Sequence, residues 1–332
     1  MSFTIIFMSI ALLCSASVSC FASSSNMRPS MSDAGNGSVV YQEWKDETRG
    51  RIVPVKIYLP TNARGPCPIV IFSHGLGGSR EAAVYLGEHW MKNGYVGVFV
   101  QHIGSDASVW QPVRQQGREK IIDALNAAIN SRTFYDRVED IKFVLDELER
   151  LNKSSGPLYN RLDLSRIAMS GHSYGAGTTL TMVGQKYFLG RREVSFADPR
   201  IKAAIYLSPP AKLRGRTPEE VFGDIQVPGL LMTGTDDNSQ IGGTPAEDRR
   251  LPFDGMKFGD QYLLTFIGGD HMIFNGATRR AAKPGDKQMI AEIERVTTAF
   301  LNAYLRGEES ERRWLNSEAA KFVASDAKFE RK

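Results

Sequence analysis

The sequence predicts an α/β fold, a mainly parallel central sheet with helices on both faces. Two observations predict it. Short, continuous apolar runs alternate along the chain with segments of helical periodicity, the pattern of strands buried on both faces and joined by crossover helices. The chain has 332 residues, 42% of them apolar and 23% charged, an ordinary globular composition that can bury a large core without disulfides or metals.

The elements follow in order. Val39–Trp44 and Ile52–Leu59 read as an opening antiparallel pair, Ile69–Phe72 as a short buried strand, Glu81–Lys92 as a helix and Val96–Val100 as a second buried strand. From Ile121 to Leu151 the pattern is helical. Val138, Ile141, Leu145, Leu148 and Leu151 recur at three- and four-residue intervals and form one apolar stripe, read as core packing without chemistry. A strand at Ile167–Met169 precedes a helical pattern from Tyr174 to Phe188. Ile201–Leu207, Gly229–Met232 and Tyr262–Ile267 read as further strands, and Ile290, Ile293, Val296, Phe300 and Tyr304 mark a closing amphipathic helix. Residues 308–332 are charge-rich, with Trp314 and Leu315 as a packing anchor.

The N-terminus has a different character. Phe3 to Val18 is apolar and small, and no charged side chain precedes Arg28. Ile5–Leu13 resembles the hydrophobic stretch of an export signal, and Cys20-Phe21-Ala22 offers small residues for cleavage. The expected organisation is a signal peptide over 1–22, a flexible Ser/Gly/Asn-rich leader over 23–37 and a catalytic domain over 38–332. The product would be secreted or periplasmic. Lipid anchoring at Cys20 is the less favoured alternative, and the segment is short for a membrane span, which takes roughly 20 apolar residues. Cys67 would then be the sole cysteine of the mature chain, set between two prolines and read as a buried, inert thiol. There is no CxxC pair or metal-finger spacing. The formal charge of +4 is small, and the basic residues form no stripe, so nucleic acid is not an expected partner.

The chemistry concentrates at strand ends. Gly171-His172-Ser173-Tyr174-Gly175 follows one strand directly and opens a helix. Such a turn holds its serine in strained geometry, tolerates little bulk beside it, and aims a helix N-terminus at developing negative charge. A serine hydroxyl needs a base. His271, in Gly268-Gly269-Asp270-His271, is the one histidine downstream of Ser173 and follows the last predicted strand. An acid must orient that base. The strand Gly229–Met232 runs into Thr233-Gly234-Thr235-Asp236-Asp237, so Asp236 and Asp237 compete, with Asp237 favoured. Asp270 reads as a loop residue. An oxyanion hole is expected from the Leu76 amide, in Ser73-His74-Gly75-Leu76-Gly77-Gly78, and from the Tyr174 amide. His74 would brace that loop, and His102, which also follows a strand, reads as structural. Trp110 and the stretch through Arg132 are expected to border a substrate cleft.

HGLGG, GHSYG, GTDD and GGDH, in that order, resemble the α/β-hydrolase superfamily. Residues 232–237 and 241–250 resemble more specifically the bacterial proteins described as predicted dienelactone hydrolases. Those are similar to the platelet-activating-factor acetylhydrolase, chlorophyllase and bacterial cutinase or polyester-hydrolase branch. The likeness spans about residues 39–316. It implies a serine carboxylic-ester hydrolase that works through an acyl-enzyme on a small or polymeric ester and uses no cofactor. A serine peptidase or acyltransferase on the same fold is the alternative. The chain departs from the pattern at two points. Dienelactone hydrolases use a cysteine where this chain has Ser173, and the cutinase-like branch usually carries disulfides that a mature chain with Cys67 alone cannot form.

Overall fold

Residues 31–34, 37–276 and 281–332 are described by a computed structural model of the chain. The expected signal at 1–22, Cys20 and most of the leader lie outside the described residues. The leader's end does not behave as a free connector: β1 (Met31–Ala34) pairs antiparallel with β2 (Gly37–Asp46). β2 turns back through Gly50, at φ 59°, into β3 (Arg51–Pro60), and the two pair along their whole length.

The buried strands β4 (Cys67–Ser73) and β5 (Val96–Val100) are separated by α1 (Val84–Lys92), three residues shorter at its start than the sequence pattern suggests. The long helical stretch is two helices, α2 (Arg118–Ala127) and α3 (Ser131–Lys153). Asn130 divides them. Its side chain accepts from the amides of Arg132 and Thr133, while Thr133 reaches back to the Asn130 amide, a capping box that starts a new helix inside one continuous periodicity.

β6 (Leu162–His172) leads into α4 (Tyr174–Met182). The pattern through Phe188 continues not as helix but as a hairpin, β7 (Tyr187–Leu189) with β8 (Arg192–Val194), because Gly184 at φ 123° ends the helical path. β9 (Ile201–Leu207), α5 (Pro218–Phe222), β10 (Gly229–Asp236), α6 (Leu251–Gly255), β11 (Gln261–Asp270) and α7 (Asp286–Leu305) follow. The charge-rich end is folded as α8 (Glu309–Ser317), α9 (Ala319–Phe322) and β12 (Ala327–Arg331), with Leu315 1% exposed.

The sheet order is β1-β2-β3-β5-β4-β6-β9-β10-β11-β12. From β5 to β11 every pair is parallel, and the antiparallel pairs lie at the two borders. Alternate residues of each central strand supply opposite cores. Ile69 and Ile71 of β4 join one core with α3 to α6, while Val70 and Phe72 join the other with α1, α7 and α8. β5 lies on one side of β4 and β6 on the other, so the loops leaving the C-terminal ends of β4 and β6 diverge. That is where open α/β sheets form their crevice.

Candidate active site

Ser173 stands between β6 and α4 at φ 53° and ψ −119°, a conformation few non-glycine residues adopt. The flanking glycines are required by space. A Cβ on Gly171 would lie 2.4 Å from the Gly175 carbonyl, and one on Gly175 would lie 1.9 Å from the carbonyl oxygen of Ser73. The turn is therefore pressed against the β4 loop, and the Ser173 amide donates to Leu207 O at 2.9 Å.

The structure brings Ser173, His271 and Asp237 into one hydrogen-bonded line. Ser173 Oγ lies 2.9 Å from His271 Nε2, and His271 Nδ1 lies 2.7 Å from Asp237 Oδ1. The carboxylate fixes the tautomer: Nδ1–H donates to Asp237, which leaves Nε2 free to accept from the hydroxyl. Asp237 is fully buried, whereas Asp236 is exposed and turned away. Asp270 caps its own loop, accepting from the Met272 amide at 3.1 Å and pairing with Lys283 at 2.8 Å. His172, next to the serine, donates from Nε2 to His271 O at 2.9 Å and fixes the loop that carries the base. Burial, and then the charge that His271 can carry, hold the His172 imidazole well below its usual range, so it serves as a neutral donor.

Three further groups grip Asp237. The Ser208 hydroxyl donates to Oδ1 at 2.8 Å, Thr233 to Oδ2 at 2.9 Å, and Arg249 Nε approaches Oδ1 at 2.8 Å. Arg249 is 1% exposed and also donates to the carbonyls of Asp237, Ser208 and Pro209. Each of these donors makes a charge-assisted hydrogen bond to the carboxylate and fixes its orientation. Sequence reasoning passed over Ser208 and Arg249. The available signals were the strand end at Leu207-Ser208 and the arginine within the family-like segment 241–250.

The loop after β4 faces the serine: a Cβ on Gly75 would lie 3.4 Å from Ser173 Cβ. The amides of Gly77 and Gly78 donate to Ser105 O and Gly75 O, so neither of them is the loop's spare donor. The Tyr174 amide is the first of α4, one of the amides a helix leaves unpaired.

This loop stands on a buried polar network. His102 N–H donates to His74 Nε2 at 3.0 Å, so His74 carries its proton on Nδ1, which donates to Gly75 O at 2.6 Å. His102 Nδ1 lies 3.1 Å from Asp140, and Ser73 Oγ lies 2.9 Å from His102 Nε2. Asp140 is also held by Arg49 and Arg51. Burial and the Arg137 charge push His102 down to about 4. Burial alone would raise Asp140, but hydrogen bonds from His102 and Arg51 bring it to about 2. The network is thus a carboxylate with neutral imidazoles. Arg137 and Asp140 both come from α3: the apolar stripe of that helix packs in the core as expected, and these two polar residues beside it, which the stripe does not mark, support the loop. Trp110 Nε1 donates to Gly77 O at 2.8 Å, and Asn126 accepts from the Gly242 amide at 3.0 Å. The segment from Trp110 toward Arg132 therefore reaches from the β4 loop to the loop that follows Asp237.

A mostly parallel sheet, a serine on a strained strand-to-helix turn, and an acid and histidine after the last parallel strands define an α/β hydrolase. The family model described as PET hydrolase-like (PETase) matches residues 127–303. That is just over half of the chain, and the chain belongs to that family. It is also similar to the platelet-activating factor acetylhydrolase of Cavia porcellus, with 25% identity covering 47% of this chain and 38% of that protein. Cutinase 1 of Thermobifida cellulosilytica is 28% identical over 42% of this chain and 38% of its own length. The cutinase of Thermobifida fusca is 28% identical over 42% of this chain and 34% of its own length. The chain thus spans less than two fifths of the length of the curated relatives it matches.

Proposed function

We propose that the chain is a serine carboxylic-ester hydrolase. The observation that carries this reading is the continuous line from Ser173 Oγ through His271 to buried Asp237, at 2.9 and 2.7 Å. His271 Nε2 takes the hydroxyl proton as Ser173 Oγ attacks the ester carbonyl. The amides of Leu76 and Tyr174 receive the oxyanion, each such donor contributing about 3 kcal/mol to the transition state. Collapse expels the alcohol, which takes its proton from His271, and leaves an acyl-enzyme. Water, deprotonated by the same imidazole, then releases the acid. Asp237 holds the imidazole in this tautomer and stabilises the imidazolium that forms. The names of the family and of the cutinase and acetylhydrolase relatives support an ester substrate, small or polymeric. Among the described residues no helix is long and apolar enough to cross a membrane, and we propose export guided by residues 1–22.

The test is hydrolysis of a short p-nitrophenyl ester by wild type and by Ser173→Ala, with labelling by a fluorophosphonate. Wild type should hydrolyse and be labelled, and Ser173→Ala should do neither. A Ser173→Ala protein retaining more than about a hundredth of wild-type kcat would refute the role of Ser173. Amide hydrolysis or acyl transfer to an alcohol outrunning ester hydrolysis would replace the reading with a peptidase or acyltransferase.

A further inference from the structure

We propose that Arg137 is a positioning residue that holds the two oxyanion amides, Leu76 and Tyr174, in register with each other. The inference rests on the ester-hydrolase reading. Arg137 lies on α3, outside the hydrogen-bonded line of Ser173, His271 and Asp237, and is 1% exposed. Its Nη1 donates to His74 O at 2.8 Å and to Ser73 Oγ at 3.3 Å, and its Nε donates to Ser105 Oγ at 2.8 Å. Ser105 in turn accepts the Gly77 amide on its carbonyl at 2.9 Å. Arg137 thus holds the end of β4 and the start of the Leu76 loop directly, and that loop's Gly77 through Ser105. The flat guanidinium also lies over the Tyr174 ring, 4.5 Å from its centroid, a cation–π contact with the residue that carries the second amide. One rigid planar group thus spans the two segments whose amides must converge on one oxygen.

The charge is the second argument. No carboxylate among the described residues approaches Arg137 within ion-pairing distance. Asp140 and Asp106 offset part of this burial from beyond contact, but a guanidinium whose direct acceptors are all neutral is still costly, and an apolar side chain of similar length would fill the same space without that cost. A planar group with a fixed fork of donors does what such a side chain does not: it grips a loop and an aromatic ring in one geometry. Small displacements at an oxyanion hole lower turnover more than they weaken substrate binding.

The test compares wild type with Arg137→Met, Arg137→Lys and Ser105→Ala. It uses kcat and KM on p-nitrophenyl butyrate, the fluorophosphonate labelling rate and the folded fraction by thermal melting. Arg137→Met should lose about tenfold to a hundredfold in kcat and in labelling rate per folded molecule, with KM changed less than about threefold. Arg137→Lys should recover part of the loss, and Ser105→Ala should lose about threefold to tenfold. Should Arg137→Met fail to fold, Ser105→Ala decides. Wild-type kcat and labelling in folded Arg137→Met or in Ser105→Ala, beside an active wild type, overturn the inference alone. A wild type that neither hydrolyses nor labels overturns the ester-hydrolase reading and this inference with it.

Discussion

At Asp237 an imidazole, two hydroxyls and a guanidinium converge on one carboxylate that no water reaches. Its neighbour Asp236 is exposed, its carboxylate accepting from the Thr235 hydroxyl at 3.4 Å. Asp237→Asn should therefore cut kcat by about ten-thousandfold through the wrong imidazole tautomer, while Asp236→Asn should stay within about threefold of wild type. Equal losses in steady-state assays would contradict the geometry. Arg249→Met leaves a buried carboxylate without its cation and strands three carbonyls, so urea melts should show a loss of about 3–5 kcal/mol. Ser173 and His271 were legible as a pair because the motif and the chain order leave no other histidine. The choice between two adjacent aspartates was not, since neighbouring side chains at a strand end face opposite ways. The hydroxyl of Ser208 was invisible for another reason: it meets Asp237 from 29 positions away.

Periodicity identified helices and strands but not where they change. Ile121–Leu151 carries one unbroken helical pattern, yet the chain restarts at Asn130, where a side chain satisfies the amides of a new first turn. Asn130→Ala should cost about 1 kcal/mol in thermal or chemical melts and leave kcat unchanged. An unchanged midpoint would show the cap to be idle. The same helix shows why an apolar stripe is an incomplete reading. Val138, Ile141, Leu145 and Leu148 are fully buried as the pattern requires, and Arg137 and Asp140 are buried among them. Their partners, Ser73, His74 and His102, lie on other elements, so nothing local marks them. The hairpin β7–β8 and the edge strand β12 were missed for a similar cause. They are three and five residues long, and β12 is a charged sequence that pairs because β11 offers it an edge.

The whole sheet was the most legible level, because its parallel middle is built from continuous apolar runs that only burial on both faces explains. Its polar interior was not, and that interior sets the acid stability. His74, His102 and His172 are buried and neutral, each held below the usual histidine range chiefly by burial, His102 at about 4. Unfolded, each takes up a proton near its ordinary value of about 6.5. Between about pH 6.5 and 4 the unfolded chain binds more protons, so stability falls as pH falls, by on the order of 3 kcal/mol from His102 alone. Glu292 acts in the opposite sense. Burial raises it to about 7, so the folded state protonates first and gains stability as pH falls from about 7 toward 4.5. Burial likewise lowers His89 and raises Glu294, so four imidazoles stand against two carboxyls and the net effect is a loss. Melts at pH 7, 6 and 5 should show a falling midpoint, and Glu292→Gln should fall more steeply. A midpoint that rises toward pH 5 would contradict the account.

The left-handed backbone of Ser173 has a consequence outside chemistry. A residue with a side chain is held there against its own preference, at about 1–3 kcal/mol, whereas glycine adopts φ 53°, ψ −119° readily. Ser173→Gly should accordingly be dead yet melt higher than its parent, while Ser173→Ala, equally constrained, should not. The tension in this turn is a standing mortgage that natural selection has kept on the fold, and glycine would discharge it.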